Sequence, residues 1–289
     1  MSPIQYGSVD LKVSDLLQGD ISLASPPEIY ARLCKLIEEP DSTSAMLAEV
    51  IERDPAISTR LLRLANSAFF ALPVEVDSIA DAITLIGRQA TRDLVLATEV
   101  IQRFHDIPRE LIDIYSYWRS SLRCAILARQ MITLLPATYN DESMFLAGLL
   151  HDIGHLVIYT RTPELGRKSL LEHRHRGIPL HIVERELMGF DYAEVGSALA
   201  TMWELPQMLC SVLANHINPQ DTETYRMEAT LVHIAAAISH QGSFDEELVD
   251  TLLPADQALW QSTEFKPDQL KSILPAAQAD YEAALSLLQ

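Results

Sequence analysis

The stretch Gly148-Leu149-Leu150-His151-Asp152-Ile153-Gly154-His155-Leu156 places three polar side chains inside an otherwise apolar run. Its periodicity predicts one helix over 142–159, apolar on nearly all sides and therefore buried. A His and an Asp within such a helix are costly unless they are paired, hydrogen-bonded or bound to a metal. Neighbouring helical side chains point about 100° apart. An ion lying off the helix between those two directions is within reach of both. A neutral imidazole and a carboxylate form a mixed N/O donor set suited to Fe, Mn, Zn or Mg. His155 follows one turn after His151 and is expected to share its face. Two residues do not hold a catalytic ion, however. The spacing is met equally by a buried pair in which Asp152 fixes His151 in one tautomer, and spacing alone favours that bland reading. The His-x-x-x-His spacing departs from the zincin pattern, because the acid is an Asp directly after the first His and no third ligand follows.

Other candidates carry less. His173 and His175 read as a solvated helix end, where cations complement the helix dipole. His216 ends an apolar helix as a ligand or, more simply, as a cap. His233 reads as a packed core histidine. Arg60 and Arg63 lie on one flank of RLLRLANSAFF, but Glu52 and Asp54 precede them, so a salt-bridged face is the simpler reading. No phosphate-binding glycine loop, nucleophile elbow or dinucleotide fingerprint is present.

The elements that must position these residues are helical. Ser25-Pro26-Pro27 starts a helix that stops before Pro40, and Asp41 or Ser42 is expected to cap the next, running to about Arg53. Asp54-Pro55 restarts the chain, and Ile57, Leu61, Leu64 and Ala65 make one apolar stripe. Further helical patterns cover about 78–86, 89–104, 110–135, 142–159, 164–176, 179–188, 192–203, 206–216 and 225–240. No segment alternates as a strand does. His105-Asp106-Ile107-Pro108 is the best interior boundary. A second shift in composition falls near Gln241-Gly242-Ser243. The tail beyond it reads as packed short helices with an acidic, solvated outer face.

The 289 residues suffice for a sizeable core, and 48% hydrophobic with 21% charged residues excludes bulk disorder. The formal net charge of −18 disfavours direct nucleic-acid binding and docking on anionic lipid. Three widely spaced cysteines, Cys34, Cys124 and Cys210, give no disulfide framework and fit a reducing compartment. No signal peptide or membrane span is recognisable, so the expected location is cytoplasmic.

Four stretches, in order, resemble the HDOD family, the HD-related output domain of bacterial signalling proteins. They are DPAISTRLLRLANSAFF (54–70), SIADAITLIGRQATRDLVL (78–96), YWRSSLRCAILA with LAGLLHDIGHLVI (117–128 and 146–158), and ERELMGFDYAEVGSALATMWELP (184–206). The resemblance spans about 14–240. It implies an all-α fold with an N-terminal helical lobe (14–107) and a lobe related to HD-type metal phosphohydrolases (108–240). An N-terminal extension (1–13) and an acidic helical C-terminal extension (241–289) flank them.

In HD enzymes the ion is held by an early His, the His-Asp pair and a late Asp. The pair here would be His151 and Asp152. The early His falls at Ser120 and the late Asp at Ala236, so two of four ligands are missing. Tyr192 stands where many relatives carry a His, and His216 is followed by Ile217 rather than a second His. The resemblance therefore implies a vestigial pocket, made of Ser120, His151, Asp152, His216 and Ala236, with no metal and no cofactor. It implies a non-catalytic signalling module that binds another signalling protein, in a two-component or cyclic-dinucleotide pathway. The competing expectation is a divergent metal phosphohydrolase acting on a nucleotide or phosphoester, with His151, Asp152 and His216 as ligands. A partner site is expected between the lobes, at Arg60, Arg63, Phe69 and Phe70, since aromatic and Arg residues are enriched at interfaces.

Overall fold

Helical periodicity becomes helix throughout, and the described residues contain no strand. A computed structural model describes residues 11–18, 25–67, 69–70, 72–104, 107–136, 139, 143–244, 249, 259, 263 and 266–288. The boundary residues His105 and Asp106 lie outside them, as does most of 1–13.

The first lobe is built from α2 (Glu28–Glu38), α3 (Ser44–Ile51), α4 (Pro55–Ala65), α5 (Ile79–Ile86) and α6 (Arg88–Arg103). The cap of α3 is Thr43, whose hydroxyl accepts from the Met46 N–H, rather than Asp41 or Ser42. In the run Asp41-Ser42-Thr43-Ser44 several residue types can cap, and the hydrophobic register selects Thr43. Helix α4 starts where Asp54 accepts from the N–H groups of Ala56 and Ile57 and Pro55 occupies the first turn. Its stripe of Ile57, Leu61, Leu64 and Ala65 is buried, as the spacing requires.

The second lobe contains α7 (Ile114–Ile132), α8 (Met144–Leu150), α9 (Ile153–Arg161), α10 (Pro163–Arg176), α11 (Leu180–Met188), α12 (Tyr192–Met202), α13 (Gln207–Asn215) and α14 (Arg226–Ser239). Helix α7 is its axis, with α8 and α14 packed along it. Two glycines set the closest crossings. A Cβ on Gly148 would lie 2.6 Å from the Ala125 Cα, so α8 rests on the backbone of α7. A Cβ on Gly154 would lie 1.9 Å from the Tyr192 carbonyl oxygen, so α9 rests on the start of α12.

The single helix expected over 142–159 is two. Asp152, at φ −99° and ψ 9°, leaves helical geometry, and the chain turns between α8 and α9. Each half then follows its own glycine contact, one onto α7 and one onto α12. The flanking segments also differ from a plain lobe-and-extension plan. Helix α1 (Val13–Leu17) packs on α9 and α12 of the second lobe, and Arg161 holds it by donating to the carbonyls of Leu16 and Gln18. Among the described residues the acidic tail contains, besides the short 3-10 turn Leu285–Leu288, one long helix, α15 (Pro267–Ala284). Pro267 opens it and Pro275 sits inside it, so neither breaks it. It lies along α7, where Arg119 Nε donates to the Tyr281 hydroxyl (2.9 Å) and Gln130 Nε2 donates to Asp280 Oδ2 (2.6 Å). All three cysteines are unbridged, and among the described residues no helix is long and apolar enough to cross a membrane.

Candidate functional site

The turn between α8 and α9 delivers His151 and Asp152 into the second lobe, with 1% and 8% of their surfaces exposed. His151 Nδ1 lies 2.8 Å from the Gly148 carbonyl oxygen. A carbonyl only accepts, so Nδ1 carries the proton, and Nε2 of the neutral ring faces inward as a lone pair. That Nε2 stands 3.1 Å from Asp152 Oδ2 without hydrogen-bond alignment, and neither it nor Asp152 Oδ1 has a hydrogen-bond partner among the described residues.

Two more imidazoles converge on the same carboxylate. His216, at the C-cap of α13, binds the Leu213 carbonyl through Nδ1 (3.0 Å), leaving Nε2 3.8 Å from Asp152 Oδ1 and 3.4 Å from the Tyr192 hydroxyl. His240, at the C-cap of α14, sets Nε2 3.4 Å from Asp152 Oδ2. Burial alone would raise the Asp152 pKa. The surrounding imidazoles, His151 foremost, outweigh it and hold the carboxyl well below its usual range. Burial likewise disfavours charge on His151, but the adjacent carboxylate raises its pKa well above the usual histidine value, so without an ion Nε2 takes up a proton that a bound metal would displace. His216 is pushed down by burial.

His155 does not share this cluster. It turns to the fully buried Glu184 on α11, with Nδ1 3.1 Å from Oε1, and stacks on the Tyr192 ring at 3.8 Å. Glu184 Oε2 accepts from the Tyr192 N–H (3.0 Å). Tyr192 thus stands between two buried His–carboxylate pairs. The Glu184 partnership was not legible, because its two members are 29 positions apart with no fixed spacing between them.

Of the residues expected in the pocket, His151, Asp152 and His216 come together. Ser120 Oγ points to the Ser239 carbonyl (3.4 Å), and Ala236 is buried. The sequence reading missed His240. It lies four residues after Ala236, one turn further along the same helix face, and that periodicity was the signal for it. His233, partly buried, donates from Nδ1 to the His216 carbonyl (2.7 Å) and so fixes the end of α13. His173 bonds the Ile178 carbonyl, and His175 is exposed.

The residues present fit a metal ion of the kind HD enzymes carry. Donor atoms about 2.1 Å from one ion stand roughly 3.0–3.4 Å apart for octahedral to tetrahedral angles. The carboxylate-to-imidazole separations of 3.1 and 3.4 Å fall there, and the ligand atoms of His151, Asp152 and His240 all lie within 4.8 Å of one another. The backbone carbonyl behind His151 is the usual outer support of a ligating imidazole.

Between the lobes, Phe69, Phe70, Leu72, Arg88, Arg129 and Phe145 line part of a groove of about 960 Å³. Phe69 is buried and meets Phe70 edge to face at 4.9 Å. The guanidinium over both rings is that of Arg129, at 4.3 and 5.3 Å. Arg60 and Arg63 do not line the groove, Arg63 being exposed and Arg60 half-buried.

Residues 23–219 match the HDOD domain family. A protein of Treponema pallidum whose function is uncharacterised is 28% identical over 69% of this chain and 39% of its own length. YuxH of Bacillus subtilis, also uncharacterised, is 29% identical over 50% of this chain and 37% of its own. The matched part of the chain thus spans about two fifths of each of these relatives. Among solved structures, a candidate phosphohydrolase from Shewanella amazonensis superposes with a TM-score of 0.78 at 25% identity, covering 96% of this chain and 97% of that one. An HDOD domain protein of unknown function from Geobacter sulfurreducens gives 0.74 at 22%, with coverages of 96% and 97%. A candidate signal transduction protein from Marinobacter aquaeolei gives 0.70 at 20%, covering 91% of this chain and 59% of that one. With the order of helices, the His-Asp turn and a match over most of its length, this chain belongs to the HDOD domain family.

Proposed function

We propose that the chain is a non-catalytic signal-transduction module that works in the cytoplasm by binding another signalling protein, in a two-component or cyclic-dinucleotide pathway. The observation that carries this reading is the pair of replacements at Ser120 and Ala236. A phosphohydrolase needs metal to polarise phosphate and to bring the pKa of bound water near ~7. Ser120 and Ala236 offer neither an imidazole nor a carboxylate, so an ion there must be held by other side chains. The groove lined by Phe69, Phe70 and Arg129 supplies the aromatic and Arg surface that protein partners favour. The net charge of −18 argues against nucleic acid as the direct partner.

The test is hydrolysis. Protein loaded in turn with Mn²⁺, Fe²⁺, Zn²⁺ and Co²⁺ is offered nucleoside phosphates, cyclic dinucleotides and an aryl phosphodiester. No turnover above an Asp152→Ala control is expected, and turnover that vanishes in that control would overturn the reading. The convergence of imidazoles on Asp152 favours a second reading, a divergent metal phosphohydrolase, in line with the Shewanella amazonensis relative.

A further inference from the structure

We propose that His151, Asp152 and His240 hold one divalent transition-metal ion, with His240 supplying the donor that Ala236 lacks. Three observations carry it. First, two buried ligand atoms converge. His151 Nε2 and the Asp152 carboxylate approach to 3.1 Å without hydrogen-bond alignment, and His151 Nε2 and Asp152 Oδ1 have no hydrogen-bond partner among the described residues. Such groups are normally satisfied, so their convergence calls for a cation between them. Second, the ring is set for ligation, because its Nδ1–H is committed to the Gly148 carbonyl. Third, His240 reaches the same carboxylate oxygen at 3.4 Å from the end of α14. Its side chain is 53% exposed, so the ring is free to swing the few tenths of an ångström that ligation requires.

Two imidazoles and a carboxylate form a set suited to Zn²⁺, Fe²⁺, Mn²⁺ or Co²⁺ and poorly suited to Mg²⁺ or Ca²⁺, which take oxygen. The ion ties the start of α9 to the C-cap of α14. His216 Nε2, 3.8 Å from Asp152 Oδ1, and the Tyr192 hydroxyl flank the carboxylate's other oxygen. The site holds whether or not the ion turns over a substrate, so the hydrolysis test above and this one fail separately.

The experiment is titration of the metal-free full chain with Co²⁺, followed by its visible absorption and by calorimetry, with Zn²⁺ as competitor. One ion per chain is expected. His240→Ala is expected to weaken binding by about tenfold or more. Because that side chain is half exposed, the variant should keep the far-UV dichroism of the parent, and an exposed-site control, His175→Ala, should keep the parent's affinity. Wild-type protein that binds neither ion would overturn the proposal. So would a folded His240→Ala variant with unchanged affinity.

Discussion

Gly154→Ala is the substitution on which the geometry of the second lobe bears most directly. The added Cβ would meet the Tyr192 carbonyl oxygen at 1.9 Å, the Tyr192 carbonyl carbon at 2.7 Å and the Gly196 nitrogen at 2.8 Å. Ordinary contact begins near 3.4 Å. All three obstacles are backbone, so no side chain can rotate away and α9 must lift from α12 by more than an ångström. Overpacking of a core costs about 1–3 kcal/mol, and a backbone obstacle belongs at the upper end, near ~3. At about 2–4 °C per kcal/mol for a domain of this size, the melting temperature should fall by roughly 6–12 °C. Gly177→Ala is the control. Gly177 also has its own conformational demand, φ +65°, but nothing lies within 4 Å of its Cβ position. Its cost should stay near ~1 kcal/mol, the usual penalty of a residue other than glycine after a helix end. Thermal unfolding followed by far-UV dichroism separates the two. If Gly154→Ala melts within about 2 °C of wild type, or no lower than Gly177→Ala, the close crossing that positions Asp152 beside His216 is wrong.

Removing His151 or Asp152 by substitution with Ala should cost about 3 kcal/mol in urea unfolding, because each leaves a buried partner uncompensated; equal midpoints for variants and parent would contradict that. Burial pushes the Glu99 carboxyl up to about 7, opposed by the Tyr30 N–H and by Arg103. The folded chain therefore keeps a proton that the unfolded chain releases near 4.5, and stability falls as pH rises from about 4.5 to 7, then stays level. Glu99→Gln should accordingly stabilise the protein at pH 8 by about 1–2 kcal/mol, after discounting for partial exposure, and not at pH 4; equal gains at both would refute the cause. A protein partner seated in the groove should be lost with Arg129→Glu and kept with the double substitution Arg60→Ala, Arg63→Ala, measured by co-purification of an identified partner. The reverse pattern would move the site to the α4 flank.

Much of the fold could be read because its helices advertise themselves at short range. Asp54-Pro55 and Asp191 cap as their residue types predict, and the buried stripe of α4 follows from four spacings. What failed depended on distance. The break at Asp152 is not encoded by any helix breaker between Met144 and Arg161. It arises because Gly148 and Gly154 press against different helices, and those helices lie far away in sequence. The long α15 failed for the opposite reason. Pro267 and Pro275 read as interruptions locally, yet the contacts of Tyr281 and Asp280 with α7 are made by one continuous helix.

The site divides along the same line. His151 and Asp152 stand out because polar residues in an apolar run demand a partner, and that demand is local. The identity of the partners is tertiary. Judged position by position, the pocket lost a ligand at Ala236, but a helix face is shared by residues four apart, and His240 is the next residue on that face. A donor set therefore survives the loss of one position if a neighbouring turn offers a side chain long enough to reach back. Imidazole at the C-cap of α14 does so at 3.4 Å. The same reasoning shows why Ser120 has no comparable substitute. Its neighbours one turn away on α7 are Ser116 and Cys124, and Cys124 directs its Sγ to the Val232 carbonyl. The chain thus keeps an imidazole on the α14 side of Asp152 and offers neither an imidazole nor a carboxylate at Ser116, Ser120 or Cys124 on the α7 side. That asymmetry ties the site to the end of α14, from which the acidic C-terminal segment departs.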